Sequence, residues 1–170
     1  MKKIILVALM GIFAIGGVIF AQQGGGTMQL TSPAFENNTS IPRKYTCQGQ
    51  DVNPPLTASA IPPATKSLTL IIDDPDAPVG TWIHWVVFNI APDASIAENS
   101  IPGTQGYNSF KRNDYGGPCP PSGTHRYFHK LYALDTVLNL AEGSSKKQIE
   151  EAMQGHILAE ATLVGLYKKE

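Results

Sequence analysis

The stretch Ile71-Ile72-Asp73-Asp74-Pro75-Asp76-Ala77-Pro78 joins a strongly apolar segment to two acidic residues on either side of a proline. The apolar run at residues 67–72 predicts an interior β-strand, because a nearly unbroken series of Leu and Ile suits burial on both faces. Proline fixes its own φ and keeps the preceding residue out of the α region, which predicts a stiff, extended corner. Side chains two residues apart in an extended chain point to the same side, so we expect Asp74 and Asp76 to lie close together at the end of this strand.

The charge of this acidic corner requires a counterpart elsewhere in the fold. Two neighbouring carboxylates repel each other unless hydrogen-bond donors, a cation or a proton offset their charge. The downstream side chains that can do so are His84, His125, Arg126 and Tyr127. The sequence therefore predicts that some of these side chains meet the corner in space.

Two further segments, residues 82–90 and 125–135, have the composition of β-strands. Strict alternation along the first segment places His84 on the same face as Val86 and Phe88, a polar side chain among apolar neighbours. Such a histidine either bonds a backbone carbonyl in the core or serves a functional site. The nearby acidic corner makes these two interpretations equally well supported.

The start of the second segment carries two more candidate side chains. His125 and Tyr127 fall on one face and emerge together directly behind a loop rich in glycine and proline, residues 115–124. His129 lies on the same face but beside Lys130, which is typical of a surface or edge residue, so we place it outside the site.

The rest of the chain also favours a mainly β fold of one domain, residues 28–170. Glycine and proline are abundant, with 16 and 13 residues, whereas charged, helix-forming runs are few. Ser145 and Gln148 have the spacing of a capping box ahead of an apolar stripe, which predicts the single helix at residues 145–153. Shorter extended segments are predicted at residues 28–35, 41–47, 56–61 and 157–167.

Composition excludes two classes of protein. The 170 residues carry a formal net charge of −1, so the chain lacks the electrostatic footprint of a nucleic-acid-binding protein. No period of about 20 to 50 residues recurs, which argues against a repeat array.

The amino terminus has the pattern of a secretory signal peptide. Two lysines precede an apolar run at residues 4–20, and Ala21 supplies a small residue for cleavage. We assign residues 1–21 to a signal peptide and residues 22–27 to a flexible lead-in, which predicts a periplasmic or secreted protein. An uncleaved membrane anchor is the alternative, since about 18 apolar residues suffice to span a bilayer.

Export also determines how the two cysteines are interpreted. Cys47 and Cys119 are the only pair, and in an oxidising compartment two lone thiols are more often a disulfide than reactive groups. A metal ligand or a nucleophile is the alternative, but neither cysteine has a Cys-x-x-Cys partner. The sequence therefore predicts a bridge between them.

The candidate side chains indicate binding of an anion. Imidazole N–H, tyrosine O–H and backbone N–H groups are suitable donors to phosphate oxygens, and the loop at residues 115–124 can present bare amides as a nest. A rigid surface connection is the alternative for this loop. The aspartates cannot hold an anion, but they can orient the histidines or receive an ammonium group. This combination suits a zwitterionic head group such as phosphoethanolamine.

Three other chemistries use the same residue types. Two histidines and a carboxylate can hold a divalent metal, although no His-x-His or His-Glu-x-x-His pattern is present. A hydrolase would need a nucleophile, and Ser122 in the loop lacks a Gly-x-Ser-x-Gly elbow. Aspartate and histidine can also act as general acid and base without a covalent step. We predict no catalytic residue, no metal ligand and no cofactor, and keep an enzyme as an alternative.

Three ordered motifs resemble the signature segments of the phosphatidylethanolamine-binding protein family, in particular its bacterial Raf kinase inhibitor-like branch. They are Asp74-Pro75-Asp76-Ala77-Pro78, His84-Trp85-Val86-Val87-Phe88-Asn89 and Gly117-Pro118-Cys119-Pro120-Pro121-Ser122-Gly123-Thr124-His125-Arg126-Tyr127. The likeness covers about residues 30–167 and implies a large central sheet, a smaller sheet and one or two short helices, with a small anion-binding pocket at one end. Carried over by position, the pocket residues would be Asp74, Asp76, Trp82, His84, Pro120, Pro121, His125 and Tyr127.

The residues and the resemblance together predict an exported, non-enzymatic binding protein for a small anionic ligand, such as a phospholipid head group. The first alternative is an inhibitor or interaction module that acts on a protease or signalling protein. The second is a phosphoester hydrolase or metal-dependent enzyme. Nucleic acid is not an expected partner, and a homodimer is allowed.

Overall fold

The computed structural model describes residues 27–93 and 95–170, which form two β-sheets and one α-helix. The predicted signal peptide at residues 1–21, and residues 22–26 of the predicted lead-in, lie outside the described residues. Helix α1 spans Lys146–Met153, and a 3₁₀-helix spans Arg43–Tyr45. In chain order the strands are β1 (Gln29–Thr31), β2 (Thr39–Ser40), β3 (Leu56–Ser59), β4 (Ser67–Asp74), β5 (Trp82–Ile90), β6 (Ser95–Ile96), β7 (Thr104–Gln105), β8 (Thr124–Leu134) and β9 (Ile157–Lys168).

Strand β4 lies inside a six-stranded central sheet of order β2-β9-β8-β4-β5-β7. All eight of its residues are buried, as the apolar run predicted, because β5 and β8 pair with its two edges and both faces of the sheet are covered. A three-stranded sheet of order β1-β3-β6 shares one apolar core with the central sheet. The prediction of a mainly β fold with a large and a smaller sheet is confirmed.

Helix α1 covers the opposite face of the central sheet. Its capping box forms as predicted: the Gln148 backbone N–H donates to Ser145 Oγ at 3.3 Å, and the Ser145 backbone N–H donates to Gln148 Oε1 at 2.9 Å. Ile149 and Met153 then pack in a second apolar cluster that includes Ile71 of β4. The helix therefore begins where the sequence predicted and buries its apolar stripe on the sheet.

A buried ion pair lies beneath α1. Asp73, which is 1% exposed, accepts hydrogen bonds from Nζ of Lys130 and of Lys146, each at 2.9 Å. Burial alone lowers the pKa of Lys146, but the hydrogen bond and charge of Asp73 outweigh it and the pKa is raised. The carboxylate therefore attaches the first turn of the helix to the sheet.

A β-bulge interrupts the pairing of β4 with β5 at His84. Ile72 lies opposite Trp85, and Asp73 lies opposite Ile83, so one residue of β5 has no counterpart on β4. Two consecutive residues of a bulged strand oppose one residue of its partner, and strict alternation of side chains ends there.

The bulge makes the predicted face of His84 wrong. Val86 and Phe88 belong to the cluster beneath α1, whereas Trp85 and Tyr127 belong to the core between the sheets. The His84 ring packs edge-on against Tyr127 with a centroid separation of 5.1 Å. It therefore lies on the side of the sheet that carries Tyr127.

The segment at residues 41–47 is not extended as predicted. Pro42 precedes the 3₁₀-helix, and the Thr46 hydroxyl donates to the carbonyl of Arg43 at 2.8 Å. Proline presets φ for a turn, and the hydroxyl then closes it.

A disulfide joins Cys47 to Cys119, with a Cα–Cα separation of 5.5 Å. The predicted pairing is confirmed. The backbone N–H of Cys47 also donates to the carbonyl of Pro118 at 3.2 Å. The bridge therefore anchors the loop before β8 to the loop that follows the 3₁₀-helix.

Candidate functional site

A cavity of about 220 Å³ opens at one end of the central sheet, where β4 ends and β5 and β8 begin. The corner after β4 and the loop before β8 complete its wall. Every predicted site residue except Asp76 lines it. The lining residues are Asp74, Ala77, Pro78, Val79, Trp82, His84, Phe110, Cys119, Pro120, Pro121, His125 and Tyr127.

Asp74 and His125 face each other inside this cavity because β4 and β8 run antiparallel, so the end of one meets the start of the other. His125 Nδ1 lies 2.7 Å from Asp74 Oδ2, and the two side chains are 9% and 5% exposed. A carboxylate only accepts, so Nδ1 carries a proton and Nε2 is the nitrogen left for a ligand. The expectation that a donor would meet the acidic corner is confirmed for this pair.

Asp76 turns away from the cavity. Residues 75 and 76 form a turn rather than the expected extended corner, and the Asp76 backbone N–H donates to Asp74 Oδ1 at 2.8 Å. An aspartate that hydrogen-bonds the backbone two residues on stabilises such a turn, which competes with the extended form. The two carboxylates therefore do not share a side.

Arg126 is the partner of Asp76. Its Nε and Nη2 donate to the two carboxylate oxygens at 2.9 and 2.6 Å, and its backbone N–H donates at 3.0 Å. The hydrogen bond from the guanidinium is the main cause that lowers the pKa of Asp76 to about 2. This pair fixes the corner from outside, while Asp74 faces the cavity.

His84 is held through one ring nitrogen and lines the cavity with the rest of the ring. Its Nδ1 lies 2.6 Å from the carbonyl of Gly116 and donates to it. Burial lowers the pKa of this histidine, so the neutral ring is favoured and Nε2 is an acceptor. The interpretation that the ring bonds a backbone carbonyl is confirmed. The ring also belongs to the cavity wall, and its role in a functional site stays a prediction.

Tyr127 lines the cavity, and its buried hydroxyl has no hydrogen-bond partner among the described residues. The residue is 1% exposed, and burial, followed by the charge of Asp74, raises the pKa of the phenol. The backbone amide of Cys119 is near enough to oppose this rise, but it does not form a hydrogen bond of ordinary geometry. A buried hydroxyl left unpaired costs about 1–3 kcal/mol.

The sequence suggested that the glycine-proline loop presents bare backbone amides to an anion. The amides of its first two glycines are not bare. The Gly116 N–H donates to the carbonyl of His84 at 3.1 Å, and the Gly117 N–H donates to Asp51 Oδ1 at 2.6 Å. A Cβ at Gly117 would lie 2.5 Å from the carbonyl oxygen of Tyr45, so only glycine fits. These amides are engaged within the protein.

Phe110 completes an aromatic wall that sequence reasoning missed. Its ring lies 5.4 Å from the rings of both Trp82 and His84, in edge-on contacts. It lies in the irregular segment between β7 and β8, which has no hydrophobic periodicity, so no pattern indicated its position. The other lining residues absent from the prediction are Ala77, Pro78, Val79 and Cys119.

His129 is also placed differently from the prediction. It is 1% exposed, its ring packs 5.5 Å from that of Phe35, and Nδ1 lies 3.2 Å from the carbonyl of Tyr127. Burial lowers its pKa from 6.5 to about 4. It belongs to the core between the sheets and not to the surface.

Two further observations concern the described residues alone. Within residues 27–93 and 95–170, no group of three or more His, Cys, Asp or Glu side chains is arranged to hold a metal ion. None of the helices in this part of the chain is long and apolar enough to cross a membrane.

The sequence of this chain is similar to those of known proteins. The family described as phosphatidylethanolamine-binding protein matches residues 31–168. The chain belongs to this family. A UPF0098 protein of Methanothermobacter thermautotrophicus is 51% identical over 150 residues, which cover 84% of this chain and 99% of the relative. A UPF0098 protein of Chlamydia muridarum is 49% identical over 150 residues, covering 84% and 100%.

Solved structures of phosphatidylethanolamine-binding protein relatives have the same fold. A homologue of the family from Chlamydia trachomatis has a TM-score of 0.83 and 48% identity, and the match covers 85% of this chain and 99% of that one. Escherichia coli YbcL, described as a member of the mammalian family, has a TM-score of 0.79 and 27% identity, with coverage of 85% and 100%. The predicted family and fold are confirmed.

Proposed function

We propose that this member of the phosphatidylethanolamine-binding protein family is a non-enzymatic binding protein whose cavity takes a small anionic ligand bearing a phosphate group. The matching family model and the Chlamydia trachomatis homologue are described as phosphatidylethanolamine-binding, which supports a binding role.

The unpaired hydroxyl of Tyr127 is the observation that carries this proposal. It is a buried donor on a residue of the cavity wall, and a ligand oxygen that reaches it and accepts its proton removes the cost of leaving it unpaired. His125 supplies a second donor through Nε2 when its ring is protonated, because Nδ1 is engaged with Asp74. Two donors at one end of a cavity suit the oxygens of a phosphate.

The remaining polar groups restrict the charge of the ligand. Neutral His84 offers an acceptor at Nε2, which a P–OH group or an ammonium group can satisfy. With His125 protonated, its pair with Asp74 carries no net charge. A phosphomonoester monoanion, or a zwitterion such as phosphoethanolamine, therefore fits better than a polyanion.

The size and walls of the cavity favour a head group with a short hydrocarbon part. Its volume of about 220 Å³ lies below the range of about 300–1,000 Å³ that is typical of pockets for drug-sized ligands. Phe110 and Trp82 form an aromatic wall, and Val79, 77% exposed, is available at the rim for apolar contact.

Calorimetric titration with phosphoethanolamine, inorganic phosphate and ethanolamine tests the proposal. We expect saturable binding of the two phosphate compounds but not of ethanolamine, and binding about tenfold or more weaker in His125→Ala, as for loss of a charge-assisted hydrogen bond. His156→Ala is the matched control, because His156 pairs with Asp135 at 2.8 Å in an exposed position outside the cavity.

Two outcomes would contradict the proposal. Equal affinity of wild type and His125→Ala would show that the ligand does not bind in this cavity. Release of inorganic phosphate from phosphoethanolamine, followed by ³¹P NMR, would contradict the non-enzymatic role.

We also propose that the protein acts outside the cytoplasm. The disulfide between Cys47 and Cys119 supports export, because disulfides persist in oxidising compartments. Mass spectrometry of the protein from periplasmic and secreted fractions should find a chain that begins at Gln22. Recovery of the full-length chain with membranes would instead support an uncleaved anchor.

A further inference from the structure

A second cavity, of about 290 Å³, lies apart from the first and shares no lining residue with it. It is bounded by the segments at residues 51–53, 99–101 and 114–115, together with one side chain each from β5 and β7. The lining residues are Asp51, Val52, Asn53, Trp85, Asn99, Ser100, Ile101, Gln105, Asp114 and Tyr115.

Two aromatic rings form a fixed part of its wall. The rings of Trp85 and Tyr115 meet edge to face with a centroid separation of 5.7 Å. Trp85 Nε1 donates to Gln105 Oε1 at 2.9 Å, and the Tyr115 hydroxyl donates to the carbonyl of Tyr45 at 2.8 Å. Because both polar ends are engaged, the orientation of both rings is fixed.

Two acidic side chains, Asp51 and Asp114, belong to the same cavity wall as these rings. Asp51 Oδ1 accepts the N–H of Gly117 at 2.6 Å, and no hydrogen bond to Oδ2 is found within the described residues. Asp114 pairs with Arg112 Nε at 3.0 Å, so its charge is offset by a neighbour outside the cavity wall. No lysine or arginine is among the lining residues that the structure describes, which leaves the charge of Asp51 without a cation in the wall.

The opening of the cavity also offers apolar contact. Ile101 is 71% exposed, an unusual position for a large aliphatic side chain, and Val52 lies in the same wall. An aliphatic stem can lie along such side chains while its polar end reaches the carboxylate.

We propose that this second cavity binds an organic cation, an ammonium or guanidinium group carried on a short hydrocarbon chain. A cation gains from a carboxylate and from an aromatic ring within about 6 Å, and the wall of this cavity contains both kinds of group. The apolar opening receives the hydrocarbon chain. The proposal does not depend on the ligand of the first cavity, because the two cavities have separate walls.

The two tryptophans make the test direct. The chain contains only Trp82 and Trp85, one at each cavity, so the two indole N–H signals of a ¹⁵N-labelled sample report on the cavities separately. The Trp82→Phe variant assigns the signals. The probe is arginine amide with its α-amino group acetylated, called arginine amide below. Citrulline amide acetylated in the same way, called citrulline amide below, is its uncharged counterpart of nearly equal shape.

We expect arginine amide to move the Trp85 signal saturably, while citrulline amide has little effect. Asp51→Asn keeps an acceptor for the Gly117 amide but removes the charge, and it should weaken binding about fivefold or more, as for loss of a charged hydrogen bond. Ile101→Ala changes an exposed side chain, so the fold is retained, and it should weaken binding about twofold to threefold through lost apolar contact. Asp135→Asn, at an exposed carboxylate elsewhere, should leave the affinity unchanged.

The inference is overturned by any of three results. These are no saturable movement of the Trp85 signal, equal effects of arginine amide and citrulline amide, or an affinity that neither Asp51→Asn nor Ile101→Ala changes.

Discussion

His125 Nδ1 lies 2.7 Å from Asp74 Oδ2, and the other oxygen of the same carboxylate accepts the Asp76 backbone N–H at 2.8 Å. Asp74 therefore acts on both sides of the corner: one oxygen orients the imidazole, and the other holds the turn that brings the carboxylate into place. Asp74 consequently connects the corner to the His125 ring at the cavity. Substitutions of these residues should differ in how much they change ligand affinity and the free energy of unfolding.

Asp74→Asn is expected to weaken phosphoethanolamine binding about tenfold, because a neutral amide does not form the charged hydrogen bond that orients the His125 ring. Calorimetry measures the affinity. Asp135→Asn is the control, since it changes the exposed His–Asp pair with His156 in the same way. Equal affinity of the two variants would show that Asp74 does not act on the ligand through His125.

Asp76→Asn should have a smaller effect on binding than Asp74→Asn. Its carboxylate does not line the cavity, and its pair with Arg126 is partly exposed and therefore weak, so we expect a change in affinity of about fivefold or less. Titration of both variants under the same conditions provides the comparison. A loss as large as that of Asp74→Asn would indicate direct contact between Asp76 and the ligand.

Tyr127→Phe should separate binding from stability. The hydroxyl has no hydrogen-bond partner in the described structure. Its removal should therefore leave the free energy of unfolding unchanged or raise it by up to about 1 kcal/mol. The affinity for phosphoethanolamine should fall about tenfold. Denaturant unfolding and calorimetry give the two quantities. Tyr45→Phe removes a hydroxyl that donates to Glu98 at 2.6 Å and should lower stability without changing phosphoethanolamine affinity. A destabilised Tyr127→Phe with unchanged affinity would contradict the role proposed for Tyr127.

His129 should make the fold sensitive to acid. Its pKa in the folded protein is about 4 against 6.5 when unfolded, so the unfolded chain binds the proton more readily, and stability falls as the pH drops below 6.5. The expected loss is about 2 kcal/mol between pH 7 and pH 5.

The measurement for His129 is the difference in free energy of unfolding between these two pH values. His129→Gln should reduce this difference, and His156→Gln, at an exposed histidine, should not. An identical pH dependence of wild type and His129→Gln would show that the proton is taken up elsewhere.

Removal of the disulfide should lower stability markedly. The bridge spans 72 residues, and closing a loop of that length contributes about 4 kcal/mol in the chain-entropy description. The Cys47→Ser, Cys119→Ser double variant should show this loss in denaturant unfolding. Mass spectrometry without reductant should find no free thiol in the wild type, and two free thiols would contradict the pairing.

Local patterns predicted much of this protein, because they depend on residues adjacent in the chain. The run at residues 67–72 is β4 without its two final acids, and the spacing of Ser145 and Gln148 placed α1. The two cysteines allowed only one pairing. Of the predicted site residues, all but Asp76 meet at one cavity.

Tertiary contacts decided the orientations of the side chains. Side chains alternate strictly between the two faces of a sheet only where the strand pairing is unbroken. The bulge that moves His84 to the other face arises from the pairing of β5 with β4. The side of Asp76 was decided by Arg126, which lies far along the chain, and the burial of His129 by the packing of Phe35.

The amino-acid sequence by itself determined the long strands of the central sheet, the helix, the disulfide and the chemical types available at the end of that sheet. The tertiary structure alone decided which carboxylate faces the cavity, which hydroxyl is left unpaired and that a second cavity exists between distant loops. The physical reason is range: propensity and periodicity act over a few residues, whereas hydrogen bonding and burial depend on partners brought together by folding.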